Sequence, residues 1–593
     1  MARLFKRIAI GLVVALVGAL IAVYLISLRA SPLVNELLRE WATAEVATQS
    51  DSVYALHVGR LHFNWPLRRV MLDSALIVTD SARNAQRSWP ITTVRGVLRR
   101  CVMSGINLPR LVFGRGFGAS QFGCGEVHWE SDAPPDSASV ARLQATRAKG
   151  ARRPAPPPAP PRQTAPAAPR STRAPHGAVM SFQRDLHLPR RIPTVRIGRI
   201  VFPTVAIGVV ARKPSGDHTR FDLARARLLV TDVVIDPAAP QYRTRPLFAQ
   251  GVLLRADSTE FRPDTAQMVR IGALQIDLTD STITVQDFEQ GPLISDAEFQ
   301  RLSPYRRQRI RVKAARLAIR GMDQGGYSRA GALVARAIEL DSLQFEILDD
   351  KRKPRRPGPR APSRTPQSWF SALQNRVAVD TIRATDATII YEEFKEGHDR
   401  PGRLTIDDVD LRALNVRHEP GRRSASDTMS LEIRGKLMSQ GDLRLAITTP
   451  LDAERMTMWV RGSLGSMDAQ ALNPLIERVT PARVKSGRID GVVFEYTVRN
   501  DVARGVVVPR YTDLAADITG TGAGGLLGKH NPISGLLRAG AEAAQGLKVR
   551  QTNPEKPDRP PRVGQVNHTF GGESLPSWFW NVLKQGLLDV VMK

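Results

Sequence analysis

The chain has 593 residues, of which 42% are hydrophobic and only 6% aromatic, and its formal net charge is +28. One compact core rarely grows beyond about 250 to 300 residues, so the length excludes a single small domain and calls for several domains or a repeat-built architecture. Nucleic acid is not an expected partner, because half of the net charge lies in two proline-rich stretches, residues 134–176 and 351–364, which contribute +7 each.

Segment 1–30 predicts a cytoplasmic tip and a transmembrane signal anchor. A basic cluster precedes 21 uncharged residues, enough to cross a hydrocarbon core of about 30 Å. A cleavable signal peptide would have a shorter apolar region of about 7 to 15 residues. The basic cluster keeps the N-terminus in the cytoplasm, so the chain is expected to be single-pass with its bulk on the far side of the membrane. The residues expected to contact the membrane here are Ile8, Leu12, Leu16, Leu20, Tyr24 and Leu28.

Segment 31–133 predicts an amphipathic helix followed by a first β segment, because helical spacing of leucines gives way to a period of two. It contains both cysteines, Cys101 and Cys124. On the exported side a disulfide can persist, but the sequence is equally compatible with two separately buried thiols. Segment 134–182 is rich in Pro, Ala and Arg and predicts a disordered insert, since it cannot bury enough apolar area to offset the entropy of ordering.

Segment 183–350 predicts repeated β-strands. One local pattern, an Asp beside small residues within strand-like sequence, occurs six times across segments 31–133, 183–350 and 370–515 and predicts bends, because Asp accepts backbone hydrogen bonds in turns. Calcium binding by these carboxylates is not favoured, because no glycine-rich calcium loop surrounds them. The six residues are Asp73, Asp232, Asp257, Asp280, Asp341 and Asp386.

The strands of this segment have one aliphatic and one polar face, as expected of antiparallel sheet with one buried face. Few amphipathic helices are available to cover the aliphatic face, so the sheet must pack on another sheet or curl and enclose a ligand. The residues expected to line such a groove are Leu274, Ile276, Leu278, Ile283, Val285, Ile338, Leu340, Phe345 and Ile347.

Segment 351–369 predicts a second, basic proline-rich insert, and segment 370–515 a C-terminal β segment. In the latter, Val492, Phe494 and Tyr496 alternate with Val493 and other residues, which adds the first three to the groove-lining candidates. Whether they face lipid or another sheet is left open.

Segment 516–593 predicts a low-complexity tail that ends in an amphipathic helix. Trp578, Phe579 and Trp580 favour contact with a membrane interface. The alternative is a helix that caps one open end of the sheet.

The motifs that could support catalysis are incomplete. Residues 520–531 resemble a phosphate loop but have Ala523 and His530 where Gly and Ser or Thr are needed, and glycine-rich residues 114–125 more plausibly mark turns or close backbone approach. The acidic run around His398 predicts a solvated hairpin tip between two strands. We therefore expect no enzymatic activity, no cofactor and no metal site.

The order of four regions resembles the AsmA-like family of bacterial envelope proteins. These regions are the anchor with "VYALHVGRLHFNWPLRRVMLDSALIV", the hairpin "TIRATDATIIYEEF" with "GRLTIDDVDLRAL", the block that ends "RIDGVVFEYTV" with "ARGVVVPRYTDL", and the terminal "FWNVLKQGLLDVV". The resemblance implies a mainly β fold, in which one N-terminal transmembrane helix is followed by an elongated, curled antiparallel sheet with an apolar groove and few helices. An array of β-sandwiches is the alternative fold.

The resemblance also implies location in the bacterial inner membrane with the bulk in the periplasm, and membrane lipids as partners, together with outer-membrane or periplasmic proteins. The expected function is binding or shuttling of lipid acyl chains in envelope homeostasis. The alternative is a structural or assembly factor whose apolar faces close on each other in a dry core. The two basic inserts depart from the family pattern, and the oligomeric state is not predicted.

Overall fold

The computed structural model describes Thr43, Val46 and residues 53–592, apart from 65–67, 86–91, 108, 111–112, 134–192, 213–217, 237, 239–247, 264–265, 303, 325–331, 355–364, 374, 397, 421–426, 481, 519–548 and 572–574. The predicted anchor, most of the helix that follows it, the first insert and the phosphate-loop-like stretch lie outside these residues. Most described residues are in β-strands, so the chain is mainly β. Within the described part, no helix is long and apolar enough to cross a bilayer.

The chain divides into two compact units near residue 266, inside the predicted segment 183–350, and residues 275–279 group with unit 1. Among the described residues, unit 1 contains strands β1 to β9 and the short helix α1. Their bounds are β1 Tyr54–Val58, β2 Leu61–Asn64, β3 Arg69–Thr79, α1 Ser81–Ala85, β4 Thr93–Ser104, β5 Phe117–Ala133, β6 Val195–Arg212, β7 His218–Ile235, β8 Gly251–Ala256 and β9 Thr259–Arg262.

Strand β11, Ala273–Asp277, has residues in both units, and the remaining elements belong to unit 2. The first half of unit 2 consists of β10 Gln267–Ile271, β12 Thr282–Pro292, α2 Asp296–Leu302, β13 Gln308–Arg320, β14 Leu333–Asp341, β15 Gln344–Asp350, α3 Pro366–Ser371, β16 Val377–Phe394 and β17 Gly402–His418. The second half consists of β18 Thr428–Leu437, β19 Gly441–Pro450, β20 Met458–Leu464, β21 Met467–Asp468, a 3₁₀ turn Ala469–Leu472, α4 Asn473–Val479, β22 Ala482–Arg499, β23 Val502–Ile518, β24 Gly564–Thr569 and α5 Leu575–Val591.

The sheet is mixed, not purely antiparallel as the sequence predicts. In unit 1, β3 to β7 pair in chain order, and only β5 and β6 run parallel. In unit 2, β14 and β15 both run parallel to β16. Strand β13 pairs antiparallel with β12, β14 and β15, and β16 to β20 pair antiparallel in chain order. Parallel neighbours need a crossover connection of a dozen or more residues. Both basic inserts fall in such connections, one between β5 and β6 and the other between β15 and β16, which explains their positions.

A disulfide joins Cys101 on β4 to Cys124 on β5, which lie directly opposite each other in the ladder. Both cysteines are buried. The glycine-rich stretch before and within β5 marks close backbone approach, since a Cβ on Gly123 would lie 2.5 Å from the Val201 carbonyl oxygen. This outcome agrees with the prediction that residues 114–125 mark turns or close backbone approach.

The repeated Asp pattern marks bends, most of which lie within a continuous strand path. Asp232 and Asp386 have φ of 51° inside β7 and β16, and Ser342 has φ of 50° between β14 and β15. The bends within strands place two polar residues between two inward-facing ones, as in Leu340, Asp341, Ser342, Leu343. At Asp386 the register between β16 and β17 shifts on both sides of Ala387, which marks a β-bulge; a bulge bends the strand and keeps the aliphatic side chains on one face. Asp280 alone among the six lies in a turn, the one between β11 and β12.

In unit 2 the bends line up across neighbouring strands and form a crease. The Ser342 hydroxyl donates to Asp386 at 3.0 Å, and the Thr385 hydroxyl donates to Asp341 at 3.0 Å, so the carboxylates tie β14, β15 and β16 together. Asp408 continues the crease on β17 with φ of 51°. Small buried side chains lie at its centre and larger ones from both sides of the bend cover them: Ala384, Ala387, Val409, Leu340, Leu343, Ile389, Ile406, Leu411 and Ile433.

Helix α5 packs on β23 and β24 over the largest core of unit 2. Trp578 and Val582 have no exposed surface. The backbone of the helix touches β24 closely, because a Cβ on Gly564 would lie 1.9 Å from the Gly586 carbonyl oxygen, so the packing requires glycine there. Two polar side chains of the helix, Gln585 and Asp589, accept hydrogen bonds from backbone N–H groups of β24 at 3.2 and 3.0 Å. The helix thereby covers a strand edge that would otherwise be unpaired.

Candidate functional site

The strand registers of unit 2 place apolar residues in two parallel rows on one face of the sheet, here called the apolar face. The first row is Ile283, Ile319, Ile338, Ile382, Ala413, Leu431, Ile447, Val460 and Tyr496. The second row is Val285, Leu317, Leu340, Ala384, Leu411, Ile433, Leu445, Gly462 and Phe494. Every position in both rows is free of charge.

The residues between these rows point to the opposite face, which is polar. They include two Glu–Arg neighbours, Glu339 beside Arg383 and Arg412 beside Glu432, and the pair Arg461 and Glu495. Opposite charges on neighbouring strands stabilise the pairing modestly at exposed positions. The strict separation of apolar and charged rows is the alternation that the sequence predicts for β12 and β14, continued across the sheet.

The apolar face is filled at one end and partly exposed at the other. Beneath α5 the side chains of β19 to β24 form a dry core with Trp578 and Val582. From β12 to β18 most row residues, such as Ile338, Leu340 and Ile433, are only half-buried. With strands about 4.8 Å apart, this part of the face is on the order of 30 Å long, whereas one leaflet of a bilayer contributes about half of a 30 Å hydrocarbon core. An acyl chain therefore fits along it.

Several predicted groove residues lie together on this face. Ile283, Val285, Ile338 and Leu340 belong to the two rows near their β12 end. On the other side of the crease, strand registers place the half-buried Phe345 and Ile347 in rows with other apolar side chains: Val312, Ile389, Ile406, Ile310, Tyr391 and Leu404. The candidates Leu274, Ile276 and Leu278 lie on or next to β11, outside the rows as defined; Leu274 is buried and the other two are half-buried.

The structure places Val492, Phe494 and Tyr496 where the predicted alternation puts them, but not in an open groove. All three are buried, while Val493 on the opposite face is 60% exposed. Tyr496 contacts Trp578 edge-on, with ring centroids 6.2 Å apart. The prediction that these residues line a groove is therefore corrected, because α5, which comes from the far end of the chain, fills the space in front of them.

The prediction that Trp578 contacts a membrane interface is corrected for the same reason. With no exposed surface it cannot contact a membrane in this conformation, because its indole packs between Tyr496 and Phe570. Phe579 and Trp580 are half-buried. Within unit 2 the helix lies where the alternative prediction, a helix that caps the sheet, would place it. Membrane contact by its other residues stays a prediction.

A cationic cleft of about 330 Å³ opens where α4, α5 and the end of β16 meet. Its ionisable lining comes from separate chain segments. The Lys351 ammonium pairs with Glu393 and donates to the Ser577 hydroxyl at 2.9 Å. The Lys395 ammonium donates to the carbonyl oxygen of Val479 at the end of α4, at 2.7 Å. The rest of the lining is Lys584, Glu396, Thr480, Trp580 and Asn581.

Burial perturbs the titration of groups around this cleft. The pKa of Lys584 is lowered from its ordinary 10.5, first by burial and then by repulsion from Lys351 and Lys395, with Glu393 acting weakly in the opposite direction. The pKa of Tyr391 is raised, first by burial and then by the neighbouring Glu393 carboxylate, to which its hydroxyl donates at 2.5 Å. The Tyr391 phenol is therefore a hydrogen-bond donor and not an ionised group.

The sequence alone did not single out these lysines. Lys351 lies at the start of the predicted basic proline-rich insert, Lys395 in the predicted hairpin tip and Lys584 in the predicted amphipathic helix at the end of the chain. The charge that interrupts an otherwise apolar helix was the available signal for Lys584. No local pattern links the three, since their proximity depends on how α5 packs.

The acidic run that begins at the end of β16 does not converge on one point. Glu393 is buried against Lys351 and Tyr391, whereas Glu392 lies near Arg309 and Arg403. Residues 395–401 connect the antiparallel strands β16 and β17, as the hairpin prediction requires. Within the ranges that the structure describes, no group of three or more His, Cys, Asp or Glu side chains could hold a metal ion.

No protein-family model matches the chain, and no curated protein matches it significantly.

Proposed function

We propose that the protein binds lipid acyl chains on the apolar face of unit 2 and acts in lipid handling in a bacterial envelope. The observation that supports this best is the pair of uncharged rows, which are aliphatic throughout from β12 to β18 and in which most side chains there, such as Ile338, Leu340 and Ile433, keep part of their surface exposed. Exposure of such an apolar face to water is unfavourable. Each methylene group that an acyl chain buries against it contributes about 0.8 kcal/mol to the free energy of binding. The mechanism is passive, since the side chains replace the bilayer as solvent for hydrocarbon.

The cellular setting belongs to the same proposal. The apolar segment at residues 8–28 would anchor the chain in the inner membrane, with both described units in the periplasm. The sheet would curl around its ligand as the resemblance to the AsmA-like family implies. The crease supports this idea, because its bulges bend the strands towards the apolar face and bring side chains from both sides together.

A second candidate function is that of a structural or assembly factor with a dry core. The filled region beneath α5 favours it, since Phe494, Tyr496 and Trp578 pack as in an ordinary protein interior. The two functions differ in what the β12 to β18 part of the apolar face contacts: hydrocarbon in the first and protein in the second.

Mass spectrometry of lipids that co-purify with the full-length protein distinguishes the two. Wild type should carry lipid, and Ile433→Glu should carry several-fold less, because a carboxylate in the row disfavours hydrocarbon. Val493→Glu is the matched control, since it places the same charge on the exposed opposite face, and it should retain lipid. Absence of lipid from a folded wild-type protein, or equal lipid in both variants, would contradict the proposal.

A further inference from the structure

The cationic cleft holds more positive charge than its own carboxylates neutralise. Lys351 has a partner in Glu393, and Lys395 is bound to a backbone carbonyl. Among the described residues no carboxylate forms an ion pair with the ammonium of Lys395 or Lys584. Lys395 and Lys584 therefore face a half-enclosed space without an ion-paired carboxylate of their own, because Glu393 pairs with Lys351 and Glu396 lies at the exposed rim.

An ammonium group held away from water without an anion destabilises the structure. The lowered pKa of Lys584 agrees with such a cost. A bound anion would offset both burial and the repulsion among the three lysines. The cleft volume of about 330 Å³ exceeds the roughly 30 Å³ that one water occupies many times over, so a tetrahedral anion with some of its hydration fits.

The cleft also adjoins apolar side chains of β15 and β16. Tyr391 lies opposite Ile347 in the strand register, and the hydroxyl of Tyr391 contacts Glu393 at the wall of the cleft. Trp580 and Val479 supply apolar contacts to the same wall. A ligand bound here would therefore have its charged part among lysines and its apolar part directed along the face where acyl chains are proposed to lie.

We propose that the cationic cleft binds the phosphate group of an anionic lipid whose acyl chains lie on the apolar face. This inference rests on the proposed function for its lipid part. Lysine suits the role, because an ammonium acts as a point charge with three donors that can adapt to phosphate oxygens. Free inorganic phosphate has the same chemistry and would contact the same three lysines, so the test includes it as a separate probe.

The test compares two short-chain ligands, dihexanoyl phosphatidate and dihexanoylglycerol, which share their chains and differ in the phosphate. Binding to the full chain in a non-ionic amphipol is measured by titration calorimetry. Wild type should bind the phosphatidate on the order of tenfold more tightly, as expected for one charge-assisted contact. Lys584→Met should remove that preference, and the exposed Lys556→Met should keep it.

Each outcome has a distinct meaning. Equal binding of both ligands to wild type, or a phosphate preference that survives in Lys584→Met, would overturn the inference while leaving acyl-chain binding intact. If inorganic phosphate binds with the affinity of the phosphatidate and depends on Lys584 in the same way, the site recognises phosphate and the lipid assignment is refuted. Failure of the proposed function itself would appear differently, as no binding of dihexanoylglycerol and no co-purified lipid.

Discussion

Replacement of Trp578 by Ala should destabilise unit 2 by about 3 to 5 kcal/mol, the usual cost of removing a buried aromatic side chain. The indole has no exposed surface, and its ring centroid lies 5.1 Å from Phe579, 6.2 Å from Tyr496 and 6.3 Å from Phe570. Oriented aromatic pairs add about 0.5 to 1.5 kcal/mol each beyond area burial. Because the three contacts share one ring, their loss is not additive and the whole effect falls within the stated range.

Trp578→Phe separates packing from polarity at the same position. The buried indole N–H has no hydrogen-bond partner among the described residues, and an unpaired buried donor costs about 1 to 3 kcal/mol. Phenylalanine removes that donor and keeps most of the ring contact, so its loss of stability should stay below about 2 kcal/mol. The matched control is Trp459→Ala on the opposite face of β20, where the side chain is 42% exposed, and its effect should stay below about 1 kcal/mol.

Urea unfolding of the full chain should be followed by hydrogen exchange of peptides from β22 and β23, since tryptophan fluorescence changes with each variant. These strands contact the helix directly, so their protection reports its attachment. If Trp578→Ala were no more destabilising than Trp459→Ala, α5 would not rest on the sheet in solution. Its aromatic side chains would then be free for the membrane contact that the sequence predicts.

Three further outcomes follow from the same structure. Asp386→Val should lower the free energy of unfolding by about 1 to 2 kcal/mol in thermal unfolding, because φ is 51° at this residue and a β-branched side chain disfavours that conformation. Asp386→Gly should lower it less, since glycine adopts positive φ readily. Reduction of the Cys101–Cys124 disulfide should destabilise unit 1 by roughly 3 kcal/mol in urea unfolding. Lys584→Met should have a larger free energy of unfolding than wild type near neutral pH, and this difference should shrink as pH rises towards 10.5.

The sign of the pH effect follows from the lowered pKa of Lys584. Between the folded-state value and 10.5 the unfolded chain binds more protons than the folded one, so wild-type stability rises with pH through that window. Lys351, Lys395 and Glu393 act on the group in the folded state and are present in wild type and variant alike, so the comparison between the two proteins isolates Lys584. A stability difference between Lys584→Met and wild type that does not change with pH would contradict the burial of Lys584. Equal losses of stability in Asp386→Gly and Asp386→Val would contradict a conformational cause at Asp386. Unchanged stability after reduction would contradict a stabilising role for the disulfide.

The local pattern of the sequence was sufficient to predict the β class and the faces of individual strands. Val492, Phe494 and Tyr496 alternate with Val493 and Glu495 in the structure as in the prediction, because a period of two is a property of a single strand. The Asp-containing bends were also visible locally. Their alignment into a crease was not, since it depends on the register between strands far apart in sequence.

The local sequence pattern also could not predict which elements cover each face of the sheet, because this too depends on contacts between distant parts of the chain. Trp578 fills the space before Tyr496 only because α5 returns to the sheet from more than 80 residues along the chain. The parallel pairing of β5 with β6 likewise could not be predicted from either strand. Lys351, Lys395 and Lys584 meet in one cleft through these same long-range contacts.

Photo-crosslinking in cells tests acyl-chain binding most directly. A photoreactive phenylalanine analogue is placed singly at Leu340 or Ile433 in the apolar rows, or at Val493 or Arg412 on the opposite face, and crosslinked lipid is measured by mass spectrometry. Lipid adducts are expected at Leu340 and Ile433 and not at the two control positions. Adducts that are absent from the apolar rows, or equally frequent on both faces, would contradict lipid binding by this face.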